Sequence, residues 1–215
     1  MTVPPPSAAS RLNPAATLGL LAGLVFGWFL LIQYFEEGDV YGVMGPFACV
    51  VCVACAAVNP HALGTWLRPT PRAIAIGLGT GIAMTALTYP VFQGASALVP
   101  DLDRQVEVLY AGARSTTLAR ALSWTVAIML AEELLFRGSF PAAMRPWLSE
   151  LQSYGVSLAL YALAQGGTGS WIVAAMALVC GTIWSFLRIY TGTLVAPLVA
   201  HFIWTPTVIF LYPVT

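Results

Sequence analysis

Long runs of apolar residues, separated by short polar stretches, fill the chain from residue 15 onwards. Because about 20 apolar residues cross the roughly 30 Å hydrocarbon core of a bilayer, these runs predict membrane-spanning helices. In chain order they cover residues 15–35, 40–58, 73–92, 121–140, 151–165, 170–190 and 192–212. The fifth run is short, so we expect a tilted helix or one that extends into its polar flanks. The pattern predicts an all-α polytopic membrane protein with about seven transmembrane helices.

The remaining segments define the domain organisation. Residues 1–14 are rich in proline and serine and predict a disordered tail, and residues 15–215 form a single membrane domain. Residues 101–120 are the one long polar stretch, which we interpret as a surface loop with a short amphipathic helix. Residues 141–150 predict a second polar loop.

Composition supports this picture and excludes some partners. The chain is 59% hydrophobic and 8% charged, whereas soluble domains have roughly 25% charged residues. The formal net charge of zero argues against nucleic acid as a partner, and the lipid bilayer is the expected surroundings.

The positions of the arginines predict an orientation in the membrane. With the N-terminus inside, more of the basic residues fall on the inner side than on the outer side, as the positive-inside rule requires. The inner set is Arg11, Arg68, Arg72, Arg137, Arg145 and Arg188, and the outer set is Arg104, Arg114 and Arg120. We therefore predict a cytoplasmic N-terminus.

Glycines at four-residue spacing predict close helix packing on two of the spans. Gly19, Gly23 and Gly27 repeat along the first span, and Gly77 and Gly81 along the third. Such small residues allow the backbone of a neighbouring helix to approach.

Three ionisable residues interrupt the fourth span. Glu132, Glu133 and Arg137 each cost roughly 2.5–3.5 kcal/mol at mid-bilayer on insertion scales, which makes them candidates for a functional site. Glu133 and Arg137 lie four residues apart on one helix face and predict an ion pair. Glu132, about 100° round the helix, has no local cation and is the candidate for acid–base chemistry.

Later spans contain a few polar residues that could complete such a site. Tyr161 and Gln165 are spaced by four residues in the fifth span, and His201 and Thr205 in the seventh. Each pair presents one polar helix face. A buried glutamine or threonine is also a common interhelical hydrogen-bonding residue, so a structural role stays open for Gln165 and Thr205.

These residues resemble the motifs of the CAAX-protease and bacteriocin-processing (CPBP, or Abi) family of intramembrane proteases. Residues 132–137, EELLFR, resemble its EExxxR motif, and residues 157–165, SLALYALAQ, resemble its second motif. Residues 191–194, TGTL, followed by Pro197 and His201, resemble its last motif. The resemblance covers about residues 118–211.

The resemblance implies roles for these residues and a substrate. Glu132 would be the general base, His201 an oxyanion donor, and Glu133 with Arg137 a structural brace. The expected substrate is a membrane-associated protein or peptide, cleaved within a polar cavity among the fourth, fifth and seventh spans. The expected location is a bacterial inner membrane.

Two positions depart from the family pattern. Gln165 stands where the family has histidine, and Thr205 where it has asparagine or aspartate. Glutamine orients a water but does not take its proton near neutral pH. We expect no cofactor, since Glu132 and His201 alone fall short of the usual three protein ligands of Zn²⁺.

Three functions remain open from the sequence. One is a glutamate-dependent intramembrane endopeptidase, and another is a catalytically degenerate relative that binds a membrane partner without cleaving it. A small transporter or channel is the third, although the sequence shows no inverted repeat.

Overall fold

The computed structural model describes residues 13–34, 39–114 and 116–214, and this part of the chain is helical without any β-strand. The expected N-terminal tail lies almost wholly outside the described residues. The helices are α1 (Pro14–Tyr34), α2 (Val40–Val58), α3 (Leu63–Trp66), α4 (Pro71–Ser96), α5 (Leu102–Arg114), α6 (Leu118–Glu132), α7 (Phe140–Met144), α8 (Glu150–Gln165), α9 (Trp171–Thr191) and α10 (Val195–Pro206). A π-helical segment, Glu133–Ser139, joins α6 to α7, and another, Thr207–Leu211, follows α10.

Four of these helices are long and apolar enough to cross a membrane by themselves: α1, α2, α4 and α9. The other three predicted spans consist of shorter or interrupted pieces, namely α6 with its π-helical continuation and α7, then α8, and then α10 with the π-helical segment after it. The all-α polytopic fold predicted from the sequence is therefore confirmed.

One predicted boundary is wrong. Residues 141–144, predicted as the start of a polar loop, are helical, so the connection to α8 shortens to residues 145–149. Pro141 lies in the first turn of α7, where the fixed φ of proline is tolerated. Ser149 then begins α8 through a capping box with Gln152, which sets the start of that helix.

Two glycines bring α4 into direct contact with α10. A Cβ atom at Gly77 would lie 2.6 Å from the carbonyl oxygen of Ala196, and one at Gly81 would lie 3.0 Å from the Cα of Ala200. The predicted close-packing face of the third span is thus present, and it contacts the helix that carries His201.

The glycine face predicted for α1 packs closely at only one of its three residues. A Cβ atom at Gly27 would lie 3.1 Å from Phe47 Cζ of α2, whereas one at Gly19 or Gly23 would meet nothing within 4 Å, and these two residues are exposed. The helix instead buries larger side chains on another face, among them Leu21, Val25 and Trp28. Burying these side chains removes more apolar area per residue than a glycine face would.

The short amphipathic helix expected in the polar stretch is α5. Leu102, Val106 and Tyr110 are buried against apolar side chains of the neighbouring segments. The Tyr110 hydroxyl donates to the carbonyl of Val208 (3.0 Å) and accepts from the amide of Val214 (3.0 Å). This helix is therefore anchored to the end of the chain that follows α10.

Candidate active site

Three helices bring Glu132, Gln165 and His201 together. Gln165 Nε2 at the end of α8 donates to Glu132 Oε1 (2.5 Å), and the Tyr161 hydroxyl donates to Glu132 Oε2 (3.2 Å). From α10, His201 Nε2 lies 3.7 Å from the same Oε2. The carboxylate that the sequence left without a local cation is thus contacted by polar groups from two other helices.

His201 also contacts the second glutamate. Its Nδ1 lies 3.1 Å from Glu133 Oε1, so each ring nitrogen faces a different carboxylate. Glu133 Oε1 lies 3.5 Å from Arg137 Nη1, which is the predicted ion pair. Glu133 therefore connects the arginine to the histidine, in addition to bracing its own helix.

The charges of this cluster do not cancel without a proton. Glu132 is 5% exposed, Glu133 0%, Arg137 1% and His201 3%. Two carboxylates and one guanidinium sum to a single negative charge. An uncompensated charge inside a protein is strongly destabilising. One further proton, on His201 or on a carboxylate, makes the group neutral. Two carboxylates and an imidazole in mutual contact are the kinds of side chain that acid–base catalysis uses.

Aromatic rings enclose the arginine. The Arg137 guanidinium lies 4.3 Å from the ring centroid of Tyr161 and 5.3 Å from that of Trp184. On α9, Gly181 leaves the room for this arrangement, because a Cβ atom there would lie 2.8 Å from Arg137 Nη2. Cation–π contacts of this kind stabilise a guanidinium that water does not reach.

The π-helical segment Glu133–Ser139 gives the motif its backbone shape. The amide of Phe140 donates to the carbonyl of Leu135, five residues back, and Pro141 has no amide hydrogen to offer the next turn. The Phe136 carbonyl accepts from the Ser157 hydroxyl instead (2.6 Å). Short π-helical stretches occur frequently at functional sites.

The carbonyl of Arg137, the next one in this segment, accepts hydrogen bonds from side chains of two helices, α8 and α9. It accepts from the Tyr154 hydroxyl and from Arg188 Nε, each at 3.4 Å. Side chains of α8 and α9 thereby bond to two successive carbonyls, those of Phe136 and Arg137, and they fix the segment that carries Glu133 and Arg137.

Sequence reasoning missed the aromatic support of His201. The ring of Trp184 stacks on the imidazole with a centroid distance of 3.7 Å and an interplanar angle of 19°. Trp184 is 1% exposed and lies on α9, which the sequence offered only as an apolar span. A tryptophan in an apolar run gives no signal that its ring orients a histidine.

Thr205 is the predicted site residue that the structure does not connect to the others. Its Oγ1 is buried and has no hydrogen-bond partner among the described residues. Glu133 Oε2 and Arg137 Nη2 share this property. Glu132 and His201 are almost wholly buried, so the site is closed to solvent.

No group of three or more His, Cys, Asp or Glu side chains in the described part of the chain is arranged to hold a metal ion. The chemistry that the described side chains themselves offer is proton transfer and hydrogen bonding.

Comparison with known proteins identifies the segment that contains this site. Residues 114–206, somewhat less than half of the chain, match the family model described as type II CAAX prenyl endopeptidase Rce1-like. No curated protein and no solved structure matches the chain significantly.

The matched segment begins at the end of α5 and ends at Pro206, so it includes the six predicted site residues from Glu132 to Thr205. It also includes the three helices on which those residues lie. With its apolar spanning helices and this match, the chain is an integral membrane protein whose segment 114–206 is similar to the type II CAAX prenyl endopeptidases of the Rce1-like family.

Proposed function

We propose that this protein is an intramembrane endopeptidase in which Glu132 activates the water that hydrolyses the peptide bond. The observation that carries the proposal is the surroundings of the Glu132 carboxylate. It is buried, it accepts hydrogen bonds from Gln165 and Tyr161, and it lies beside His201. A buried carboxylate held by neutral donors is suited to taking and returning a proton.

The proposed reaction uses one proton twice. Glu132 removes a proton from water while the water oxygen bonds to the carbonyl carbon of the substrate, and the carbonyl oxygen becomes an oxyanion. Glu132 then gives the proton to the amide nitrogen, and the carbon–nitrogen bond breaks. The products are a carboxylic acid and an amine, so no further reactant is needed.

His201 would stabilise the oxyanion. Its ring is fixed by stacking on Trp184 and by the contact between its Nδ1 and Glu133. Preorganised donors of this kind are worth about 10²–10³ in rate when one is removed from an oxyanion hole. Because the Nδ1 of His201 is in contact with Glu133, the ring nitrogen that remains to donate to the substrate oxyanion is Nε2.

Gln165 takes a positioning role in this mechanism. Its amide donates to Glu132 but does not accept a proton near neutral pH, so it fixes the orientation of the base without sharing its charge. The second-motif histidine of the family would offer both functions. Glu132 therefore performs all of the proton transfer in this chain.

The substrate we propose is a membrane-associated protein or peptide. The site lies on shorter helices that pack against the spanning helices α2, α4 and α9, and it is closed to solvent. A substrate segment therefore has to reach it from within the bilayer or from one membrane face. We further propose that this membrane is a bacterial plasma membrane and that the N-terminus lies on its cytoplasmic side. The distribution of arginines supports this orientation.

Replacement of Glu132 tests the proposal. The purified full-length chain in liposomes is incubated with a panel of membrane-anchored peptides, and cleavage products are identified by mass spectrometry. We expect Glu132→Gln to lower cleavage by about 10²–10⁴-fold, the usual contribution of a general base. Glu150→Gln, which removes an exposed acid paired with Arg145, is the matched control and should leave the rate unchanged. Cleavage that survives Glu132→Gln would remove Glu132 from the mechanism.

A second function, binding of a membrane protein without cleavage, is favoured by a specific observation. Thr205 stands where the family has an amide or acid, and its hydroxyl contacts no hydrogen-bonding partner among the described residues. Gln165→His, alone and together with Thr205→Asn, distinguishes the two functions. If only these restored variants cleave peptides, the native chain is a binding protein on a protease fold.

A further inference from the structure

The arginines at the two ends of the helix bundle differ in their partners. At the end that contains α5, each arginine pairs with a carboxylate. These pairs are Arg104–Asp101, Arg114–Glu107 and Arg120–Asp39. The charges at this end are therefore locally compensated.

At the opposite end only some of the arginines are compensated in this way. Arg145 pairs with Glu150 (3.5 Å), but two others have no such partner. Arg68 and Arg72 are exposed, and neither lies within 4.0 Å of a carboxylate oxygen among the described residues. Two positive charges at this end are thus directed towards the surroundings of the protein.

Aromatic residues connect the segment around Arg72 to the end of α9 and to the start of α10. The guanidinium of Arg72 lies 5.2 Å from the ring centroid of Tyr190, and that of Arg188 lies 5.6 Å from the ring centroid of Trp66. The carbonyl of Trp66 accepts a hydrogen bond from the amide of Leu194 (2.7 Å). Trp66 is buried and Arg188 donates to the carbonyls of Arg137 and Gly192, so the exposed residues here are Arg68, Arg72 and Tyr190, which we call the basic surface.

We propose that the basic surface binds the phosphate of an anionic phospholipid. Guanidinium groups match phosphate oxygens with paired hydrogen bonds, and the free groups of Arg68 and Arg72 supply them. Tyrosine is enriched at the level of lipid head groups, where the exposed Tyr190 would flank the phosphate. The inference concerns lipid recognition and does not depend on the proposed peptidase activity.

The position of the basic surface favours a lipid over a soluble phosphate compound. Arg72 lies in the first turn of α4, Arg68 lies just before that helix, and Tyr190 lies at the end of α9. Both α4 and α9 are of membrane-spanning length. The ends of such helices lie at the depth of the head groups. A lipid there is held by its acyl chains as well as by its phosphate, which a free anion is not.

Native mass spectrometry of the full-length chain in a nonionic detergent tests this proposal. The protein is titrated with phosphatidylglycerol or with phosphatidylcholine, and bound lipid is counted directly. We expect a preference for phosphatidylglycerol that falls by roughly thirtyfold in the variant Arg68→Gln/Arg72→Gln, or about fivefold for each charge. The matched control is Arg104→Gln/Arg114→Gln at the other end, which should keep the preference.

Two further measurements make the result decisive. Arg68→Lys/Arg72→Lys keeps both charges and should retain most of the preference, and equal melting temperatures of all variants show that each one folds. The proposal is overturned if Arg68→Gln/Arg72→Gln binds phosphatidylglycerol as well as the native chain or if the control pair loses it equally. It is also overturned if millimolar inorganic phosphate displaces the lipid, since a free anion would then suffice.

Discussion

Arg137 occupies a space that exists because residue 181 is a glycine. A Cβ atom at Gly181 would lie 2.8 Å from Arg137 Nη2, 2.7 Å from Leu158 Cδ1 and 3.1 Å from Tyr161 Cδ1. Arg137 is 1% exposed and has little freedom to move away. At the scale of single residues, the absence of a side chain on α9 therefore positions the cation that pairs with Glu133.

We expect Gly181→Val to destabilise the protein by roughly 1–3 kcal/mol, the usual cost of overpacking a filled site, and to lower any Glu132-dependent cleavage. The free energy of unfolding in detergent micelles measures the first effect. Gly155→Val is the control, since Gly155 on α8 is exposed and a Cβ atom there meets nothing within 4 Å. Equal stabilities for the two variants would contradict this account of the site.

Residues whose function shows in their own chemistry could be predicted from the sequence, and residues that act through shape could not. Glu132 and His201 were identified because charged and titratable groups are costly in a membrane helix. Trp184 and Gly181 are ordinary residues of an apolar span, and their contacts with His201 and Arg137 depend on how α9 packs. The assignment of chemical roles stays a prediction until cleavage is measured.

The π-helical segment makes a corresponding prediction at the scale of elements. Because Pro141 donates no hydrogen bond, the Phe136 carbonyl depends on the Ser157 hydroxyl. We expect Ser157→Ala to cost about 1–3 kcal/mol, the penalty for an unsatisfied buried acceptor. Ser123→Ala on the exposed face of α6 is the control and should change stability by less than about 0.5 kcal/mol.

A double-mutant cycle sharpens this test. Pro141→Ala returns an amide hydrogen to the segment, so in the Ser157→Ala background it should recover part of the lost stability. If the two substitutions simply add, the carbonyl is satisfied in another way and the explanation is wrong.

Element boundaries followed the hydrophobic pattern closely where a helix is regular. The second span was predicted as residues 40–58, and α2 is Val40–Val58. The pattern did not predict the π-helical segment or the helical residues 141–144, because both depend on side chains of α8 and α9 that bond to backbone carbonyls of the segment. Gly19 and Gly23 of α1 were misjudged, since the hydrophobic pattern does not reveal which part of a face meets a neighbour.

At the scale of the whole molecule, the arginine distribution predicts which end faces the cytoplasm. We expect Arg104→Cys, on α5, to react with a membrane-impermeant thiol reagent in intact cells. Trp147→Cys, in the exposed connection between α7 and α8, should react only after the cells are permeabilised. The reversed pattern of labelling would place the N-terminus outside. The native chain treated in the same way corrects for its own cysteines.

Residues 114–206, the segment that matches the family model, do not form an independent structural unit, because α10 packs closely against the glycines of α4. His201 follows Ala200 directly, and the backbone of Ala200 lies against Gly81 of a helix outside residues 114–206. The depth of the imidazole in the bundle is therefore set partly by a part of the chain that the family model does not cover. Grafting or truncating this protein at the borders of the matched segment would separate a histidine from the surface that sets its height. Evolutionary change in α4 could in the same way tune the site without altering any motif residue.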